Sequence, residues 1–138
     1  MLRQTRNGEK GLNRKSVTLK KELSLPKLLA KAQKVFNAWI RKRDSKLGCI
    51  SCQAQVTQAG HYYSQGHHSA LRFNEVNTNG QCTRCNCFLH GNLINYRHGL
   101  FKRYELVDLV LLDSVGTRSP VKKWSRLELE LIIKKYKL

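Results

Sequence analysis

The sequence has no long hydrophobic run and contains few acidic residues. No stretch approaches the roughly 18 consecutive apolar residues that a membrane-spanning helix needs. Residues 1–8 also lack the apolar core of a secretory signal, so we expect a soluble intracellular protein without a membrane partner. Only 9 Asp and Glu residues oppose 26 Lys and Arg residues, which gives a formal net charge of +17. This excess indicates a polyanionic partner.

The positive charge is concentrated outside the centre of the chain. Residues 1–47 contain 14 basic and 3 acidic residues, whereas residues 48–95 contain only 2 basic residues and 1 acidic residue. For a chain of 138 residues we expect a flexible basic arm over residues 1–23 and a single domain over residues 24–138. Such an arm would gain affinity for DNA by releasing counterions. A merely solubilising tail is the alternative.

The periodicity of apolar residues predicts helices at both ends of this domain. One amphipathic helix is expected over residues 24–47, with Ser24 as its N-cap and Trp39 in the core. Two more are expected over residues 99–138, the first with helical spacing across residues 100–112. The second follows a capping-box pair formed by Ser125 and Glu128.

Five cysteines do not suit a disulfide framework, because their number is odd and the cytosol is reducing. Four of them form two Cys-x-x-Cys pairs, Cys49 with Cys52 and Cys82 with Cys85. Thiolates at this spacing favour Zn²⁺ in a closed tetrahedral site, which is structural because it leaves no position open for catalysis. An iron–sulfur cluster and free buried thiols are the alternatives. Cys87 lies outside the pattern.

A histidine and two asparagines lie in or beside the loop that this zinc ion would close. His61 ends an Ala-Gly-His sequence, Asn77 precedes the third cysteine by five residues, and Asn86 directly follows the fourth. The arrangement resembles the HNH, or His-Me finger, nuclease motif, in which two strands and a helix hold a catalytic histidine and a divalent metal. The resemblance implies that His61 is the general base and Asn77 orients it. It also implies that Asn86, together with His61, binds the catalytic ion.

The chemistry of phosphodiester hydrolysis agrees with these residue types. A water molecule must lose a proton near neutral pH, and histidine, with an ordinary pKa of about 6.5, is suited to accept it. Mg²⁺ or Mn²⁺ would stabilise charge on the phosphate and on the leaving oxygen, using oxygen and imidazole ligands rather than thiolates. We therefore expect two metals, a structural Zn²⁺ and a catalytic Mg²⁺ or Mn²⁺.

A more specific resemblance covers residues 25–138. The segments that carry it are FNAWIRKRD at 36–44, CISC at 49–52, QAGH at 58–61, SALRFNE at 69–75, QC at 81–82, CN at 85–86 and GNL at 91–93. They are similar to the NinG/Rap recombination proteins of lambdoid bacteriophages. This resemblance implies a metal-dependent, structure-specific DNA endonuclease that cuts Holliday junctions and D-loops in the cytoplasm of the bacterial host.

The same resemblance implies the fold and the partners. We expect an α+β fold in which a zinc-stapled ββα-metal core, residues 48–98, lies between the N-terminal helix and the C-terminal helices. The implied partner is branched double-stranded DNA. Because a four-way junction has two strands to cut, a homodimer is also a candidate, and phage or host recombination proteins are further candidate partners. A non-catalytic, zinc-stabilised DNA-binding protein that assists recombination is the competing hypothesis, since the charge and the cysteines would serve it equally well.

One position departs from the HNH pattern. Many HNH nucleases carry an Asp or His metal ligand directly before the catalytic histidine, whereas this sequence has Gly60. The candidates for the missing ligand are His67, His68, His90 and Asn92. For the histidines among them, a solvent-exposed position without a metal is the alternative.

Basic side chains near the motif are the candidates for DNA contact. They are Arg41, Lys42, Arg43, Arg72 and Arg84. Arg72 is expected to bind the scissile phosphate, with an ion pair to Glu75 as the structural alternative. Tyr62 and Tyr63 are expected to cover the zinc-binding turns, with stacking on an unpaired base as the alternative.

Overall fold

The computed structural model describes residues 21–118 and 121–138, which form a mixed α+β fold. The elements in chain order are α1 (Leu25–Asp44), β1 (Gln58–His61), a 3-10 turn (Ser69–Leu71), β2 (Thr78–Gln81), a π-helical turn (Arg84–Phe88), α2 (Leu93–Arg103), α3 (Leu106–Gly116) and α4 (Arg126–Tyr136). Apart from residues 21–23, the predicted basic arm lies outside the described residues. No helix within the two described ranges combines the length and the hydropathy that a membrane crossing needs.

Helix α1 forms because its apolar residues recur on one face, as the spacing predicts. The buried apolar residues of that face are Leu28, Ala32, Phe36 and Ile40. They pack against α4, and complete burial of the Phe36 side chain contributes about 1.5–3 kcal/mol. Trp39 is a core residue as predicted, with its ring centroid 4.9 Å from that of Tyr136. Ser24 takes the N-cap position, but its side chain makes no capping hydrogen bond.

The two strands form a small antiparallel sheet. The paired residues are Gln58 with Gln81, Ala59 with Gly80, Gly60 with Asn79, and His61 with Thr78. Every residue of β2 is buried, although three of the four side chains are polar. The Asn79 amide donates to the Tyr96 hydroxyl at 3.2 Å and accepts from the Tyr104 hydroxyl at 2.8 Å. Tertiary hydrogen bonds, rather than an apolar face, therefore stabilise this strand.

Three helices follow the sheet, although the sequence predicted two. Helix α2 begins inside the predicted core segment, and the chain becomes extended at Tyr104 before α3 starts. Residues 100–112 are mostly helical as predicted, but they are divided between α2 and α3 at Tyr104, whose hydroxyl donates to Asn79 of β2. The buried apolar residues here are Ile50, Leu71, Tyr96, Leu100, Leu109 and Leu112. Helix α4 begins at the Ser125 and Glu128 capping box, as predicted.

A buried carboxylate joins α1 to the sheet. Asp44 is 1% exposed and accepts hydrogen bonds from Arg43 at 2.7 and 2.9 Å and from the Gly80 N–H at 2.6 Å. Arg103 donates to the same carboxylate at 3.3 Å. A buried charge is stable only when it is paired in this way, so Asp44 fixes the end of α1 against β2.

Candidate functional site

The four cysteines of the two Cys-x-x-Cys pairs come together in the structure. Their sulfur atoms all lie within 4.8 Å of one another, and Cys52 Sγ is 3.6 Å from Cys82 Sγ. Tetrahedral zinc with Zn–S bonds of about 2.3 Å requires thiolates at such separations. In the described part of the chain, no other group of three or more His, Cys, Asp or Glu side chains is arranged to hold a metal. The cluster is confirmed as a possible metal site, and Cys87 lies outside it.

Tight turns place the ligands of each pair. Gln53 N donates to the carbonyl oxygen of Cys49 at 2.8 Å, which closes the first turn. Gly48 has a φ of +76°, and a Cβ there would lie 2.7 Å from the Gln53 oxygen, so this turn requires glycine. In the second pair, Cys85 N donates to Cys82 Sγ at 3.5 Å. The Cys-x-x-Cys spacing thus allows each turn to aim both sulfurs at one point.

The electrostatics of the cluster favour a cation. Burial raises the pKa of the Cys85 thiol to about 12, although Asn92 Nδ2 donates to its sulfur at 3.3 Å. Burial also opposes ionisation of Cys82, but hydrogen bonds from the Cys85 N–H and the neighbouring thiols lower its pKa to about 7. Four adjacent thiols cannot all ionise without a compensating positive charge. The donor set therefore fits a structural zinc ion held by the four cysteines.

His61, the last residue of β1, is held in one tautomer. Its Nε2 lies 3.0 Å from the carbonyl oxygen of Arg72. Because a carbonyl oxygen only accepts, Nε2 carries the proton, and Nδ1 of the neutral ring has the free lone pair. Burial lowers the pKa of His61 below its ordinary 6.5, while the Arg72 carbonyl acts in the opposite direction. The ring is therefore neutral at pH 7 and has one basic nitrogen.

Asn77 is completely buried and supports the loop that connects the two strands. Its Oδ1 accepts from Tyr63 N at 2.8 Å, and its Nδ2 donates to the carbonyl oxygens of Tyr63 at 3.0 Å and Leu71 at 3.3 Å. None of these bonds reaches the imidazole. Asn77 thus fixes the backbone just after His61, so any orientation of the imidazole by this residue is indirect.

Asn86 lies on the π-helical turn beside β1. Its Nδ2 donates to Gln58 Oε1 at 2.6 Å, which turns Oδ1 towards Gly60. The completely buried side chain of Gln81 reaches the same place, and sequence reasoning did not identify it. A glutamine in a polar stretch is normally exposed, so the residue type provides no reason to expect a buried side chain here. The one signal was the position of Gln81 directly before Cys82.

His61 and Asn86 lie on opposite sides of β1. Successive residues of a strand point to opposite faces, and Ala59, which shares a face with His61, packs against the core between α1 and α4. Gly60 and Asn86 lie on the other face. His61 and the residue that Asn86 approaches, Gly60, are thus consecutive in β1, and His61 Nε2 is engaged by the Arg72 carbonyl oxygen. The binding of one catalytic ion by His61 and Asn86 stays a prediction.

A basic groove runs along α1. One cavity of about 560 Å³ has Lys34, Arg41 and Arg72 in its lining and no acidic residue. An adjacent cavity of about 320 Å³ shares Arg72 and adds Lys122 and Lys123. Burial lowers the pKa of Arg72, whose Nε is buried without a hydrogen-bond partner in the part of the chain described. This groove can accept an anionic backbone.

The other basic residues predicted to contact DNA lie in different settings. Arg43 is engaged internally, since it also donates to the carbonyl oxygens of Glu75 at 3.1 Å and Thr78 at 3.0 Å. Its geometry favours a structural role over contact with DNA. Lys42 and Arg84 are exposed. Glu75 accepts from Tyr136 and Lys135 of α4, not from Arg72.

Within the described residues, the three histidines considered for the missing metal ligand belong to no group of three or more His, Cys, Asp or Glu side chains that could hold a metal. Asn92 supports the cysteine cluster, because its Nδ2 donates to Cys85 Sγ while its Oδ1 accepts from Asn95 at 2.9 Å. His67 and His90 are exposed. His68 Nδ1 lies 3.2 Å from the Ser64 carbonyl oxygen.

Tyr62 and Tyr63 pack beside α2 and α3 rather than over the cysteines. The Tyr62 ring lies 5.5 Å from that of Tyr96, and the Tyr63 hydroxyl donates to Asp113 Oδ1 at 2.9 Å. The expectation that they cover the zinc-binding turns is therefore wrong. Both rings pack against the second core cluster.

Comparison with known proteins assigns the family. The family profile described as "Bacteriophage Lambda NinG protein" matches residues 2–138. Protein ninG of Salmonella phage P22 is 34% identical over 111 residues, and that of Escherichia phage lambda is 35% identical over 111 residues; each alignment covers 78% of this chain and 53% of the relative. Protein ninG of Enterobacteria phage H19B is 41% identical over 85 residues, which cover 58% of this chain and 42% of the relative.

The chain spans about half the length of the curated relatives it matches. No solved structure matches it significantly. The profile match extends over nearly the whole sequence and includes all four clustered cysteines, His61, Asn77 and Asn86. The chain therefore belongs to the NinG family of bacteriophage proteins.

Proposed function

We propose that the protein is a metal-dependent DNA endonuclease that cuts branched recombination intermediates, such as Holliday junctions and D-loops. The observation that carries this proposal is the hydrogen bond from His61 Nε2 to the Arg72 carbonyl oxygen. It leaves Nδ1 of a neutral imidazole as a base held in one orientation. The resemblance to the HNH motif supports the hydrolytic chemistry, and the preference for branched DNA rests on the family resemblance.

In this proposal His61 activates the attacking water. Nδ1 accepts a proton from water as its oxygen attacks the phosphorus, and the bond from phosphorus to the leaving oxygen breaks. A Mg²⁺ or Mn²⁺ ion, when bound, supplies positive charge that stabilises the phosphate and the leaving oxygen. General base catalysis of this kind contributes about 10²- to 10⁴-fold in rate. The cysteine-bound zinc would only support the fold.

The basic groove supplies the DNA surface. Arg72 connects the groove to the proposed base. Its side chain lines the groove, where Nη1 donates to Gln33 Oε1 and Gln65 Oε1 at 3.2 Å, and its carbonyl oxygen holds the His61 ring. A phosphate bound by Arg72, Arg41 and Lys34 would thus lie near the element that carries the base. Since a four-way junction needs two cuts, we propose that the protein acts as a homodimer or with other recombination proteins in the bacterial cytoplasm.

The test compares a labelled four-way junction with a linear duplex of the same arm sequence, each in Mg²⁺ and in Mn²⁺. We expect the zinc-loaded wild type to cut the junction. His61→Ala should lose about 10²- to 10⁴-fold of the rate and keep its affinity for the junction. His98→Ala is the matched control, because His98 is an exposed histidine of α2 with no role in the proposed site, and it should cut normally.

Two other outcomes would reject the proposal. Binding to both substrates without any cutting, in every metal tried, would identify a non-catalytic zinc-stabilised DNA-binding protein. Cutting that survives His61→Ala would mean that another group is the base. Equal cutting of the junction and the duplex would reject only the preference for branched DNA.

A further inference from the structure

Two amide oxygens converge beside Gly60. The position that a Cβ of residue 60 would occupy overlaps Gln81 Oε1 and lies 3.0 Å from Asn86 Oδ1. Glycine is therefore required here, since any larger residue would collide with the Gln81 side chain. The side chain of Gln81, from β2, thus occupies the place that a side chain at position 60 would take.

The orientation of the Gln81 amide is fixed. Its Nε2 donates to the backbone carbonyl of Gly91 at 2.8 Å and to Ser51 Oγ at 2.9 Å. Because a carbonyl cannot donate, the nitrogen must face Gly91, and Oε1 must face Gly60. Gln81 is 0% exposed, and this oxygen has no hydrogen-bond donor among the residues that the structure describes. A buried acceptor without a partner is unusual and needs an explanation.

The orientation of the Asn86 amide completes the arrangement. Gln58 Oε1 accepts from Asn86 Nδ2 at 2.6 Å, so Asn86 Oδ1 is the atom that faces Gly60. Asn86 is only half-buried, in contrast to Gln81. One oxygen thus belongs to a completely buried side chain, and the other belongs to a side chain that solvent partly reaches.

We propose that Gln81 Oε1 and Asn86 Oδ1 are the two protein ligands of a hard divalent cation, Mg²⁺ or Mn²⁺. The inference rests on the proposed function and names ligands for its ion beside Gly60, the residue that directly precedes His61 in β1. Uncharged amide oxygens suit such ions, which keep several waters and bind substrate phosphate. Because neither ligand is charged, the ion binds weakly to the free protein and more tightly in the presence of DNA.

The test measures Mn²⁺ binding directly on the zinc-loaded protein. Free Mn²⁺ is followed by electron paramagnetic resonance, and the side-chain amide signals of Gln81 and Asn86 are observed by NMR. We expect Mn²⁺ to broaden these two signals first. Gly60→Ala should remove the broadening and weaken Mn²⁺ binding about tenfold or more, because the new methyl group displaces Gln81 Oε1.

Gly66→Ala is the matched control, since a Cβ there has open space around it, and it should bind Mn²⁺ as the wild type does. Asn86→Leu is the second variant, and it should lose binding without filling the space at Gly60. Zinc content and far-UV circular dichroism are measured on every variant, so a loss of fold is distinguished from a loss of the ion.

Unchanged Mn²⁺ binding in well-folded Gly60→Ala and Asn86→Leu, or broadening confined to other residues, would overturn the inference. Cleavage that still depends on His61 under those conditions would leave the proposed nuclease intact with a different ion site. Conversely, Mn²⁺ binding at Gln81 and Asn86 without cleavage of any DNA would uphold the site and reject the nuclease.

Discussion

Replacing Cys85 by serine should release the zinc ion and unfold the region around it. Cys85 is 1% exposed, and its sulfur lies within 4.8 Å of the three other sulfurs. Serine cannot supply the fourth thiolate, and its hydroxyl would leave a buried polar group in place of a metal bond. Cys87→Ser is the matched control, because Cys87 is exposed and lies outside the cluster.

The magnitude follows from comparing two free energies. A structural Cys₄ zinc site contributes about 10–16 kcal/mol of apparent binding free energy at pH 7, whereas a whole domain is stable by about 5–15 kcal/mol. Loss of even a third of the zinc contribution would therefore remove a large part of the total stability. We expect a fall in Tm of at least about 10 °C for Cys85→Ser and no measurable change for Cys87→Ser.

The assay combines metal analysis with thermal unfolding. The wild type and Cys87→Ser should each contain one zinc ion per chain, and Cys85→Ser should contain much less. Adding a strong chelator to the wild type should reproduce the low Tm of Cys85→Ser. A Cys85→Ser protein that melts like the wild type, or a wild type indifferent to the chelator, would refute the reasoning that zinc supports this fold.

Three other predictions concern ionisable side chains. Asp44→Asn should destabilise the protein by about 3–5 kcal/mol in urea unfolding, because its two arginine partners would lose their buried counter-charge; a loss under 1 kcal/mol would contradict this. Burial opposes ionisation of Glu75, yet hydrogen bonds from Tyr136 and Lys135 of α4 lower its pKa below 4.5. The ionised carboxylate therefore stabilises the fold fully above pH 4.5, and this stabilisation is lost as the pH falls through the pKa of Glu75 in the folded protein. Glu75→Gln should remove this acid dependence. Burial lowers the pKa of His61, so the acid limb of kcat/KM should have its midpoint below pH 6.5, and a midpoint above 6.5 would contradict the assigned environment.

The sequence predicted those parts of the molecule that depend on local patterns. The spacing of apolar residues predicted α1, and the capping box at Ser125 predicted the start of α4. The Cys-x-x-Cys pairs predicted the cluster, because four thiolates at such spacing have few other uses. The helix and the capping box depend on residues within a few positions of one another, and each Cys-x-x-Cys pair is equally local, although the cluster joins two pairs that are distant in sequence.

The sequence did not predict features that depend on distant contacts. Strand β2 has no apolar alternation, since its buried side chains are stabilised by partners such as Tyr96 and Tyr104. Gly99 looks like a helix boundary but lies inside α2, because a Cβ there would be 2.1 Å from the Ile50 carbonyl oxygen. Asp44 resembles an exposed helix terminus but is buried by partners that come from β2 and α2.

The zinc-binding cysteines and the proposed ligands of the second ion are coupled through the chain. Gln81 is bonded directly to Cys82, and Asn86 to Cys85. A zinc ion that holds the two cysteines together therefore also holds the two amide groups at a fixed separation. Such preorganisation matters because two uncharged ligands bind an ion weakly, and the entropy of ordering them would otherwise oppose binding. Zinc removal should accordingly abolish Mn²⁺ binding as well as stability, although no thiolate touches the second ion.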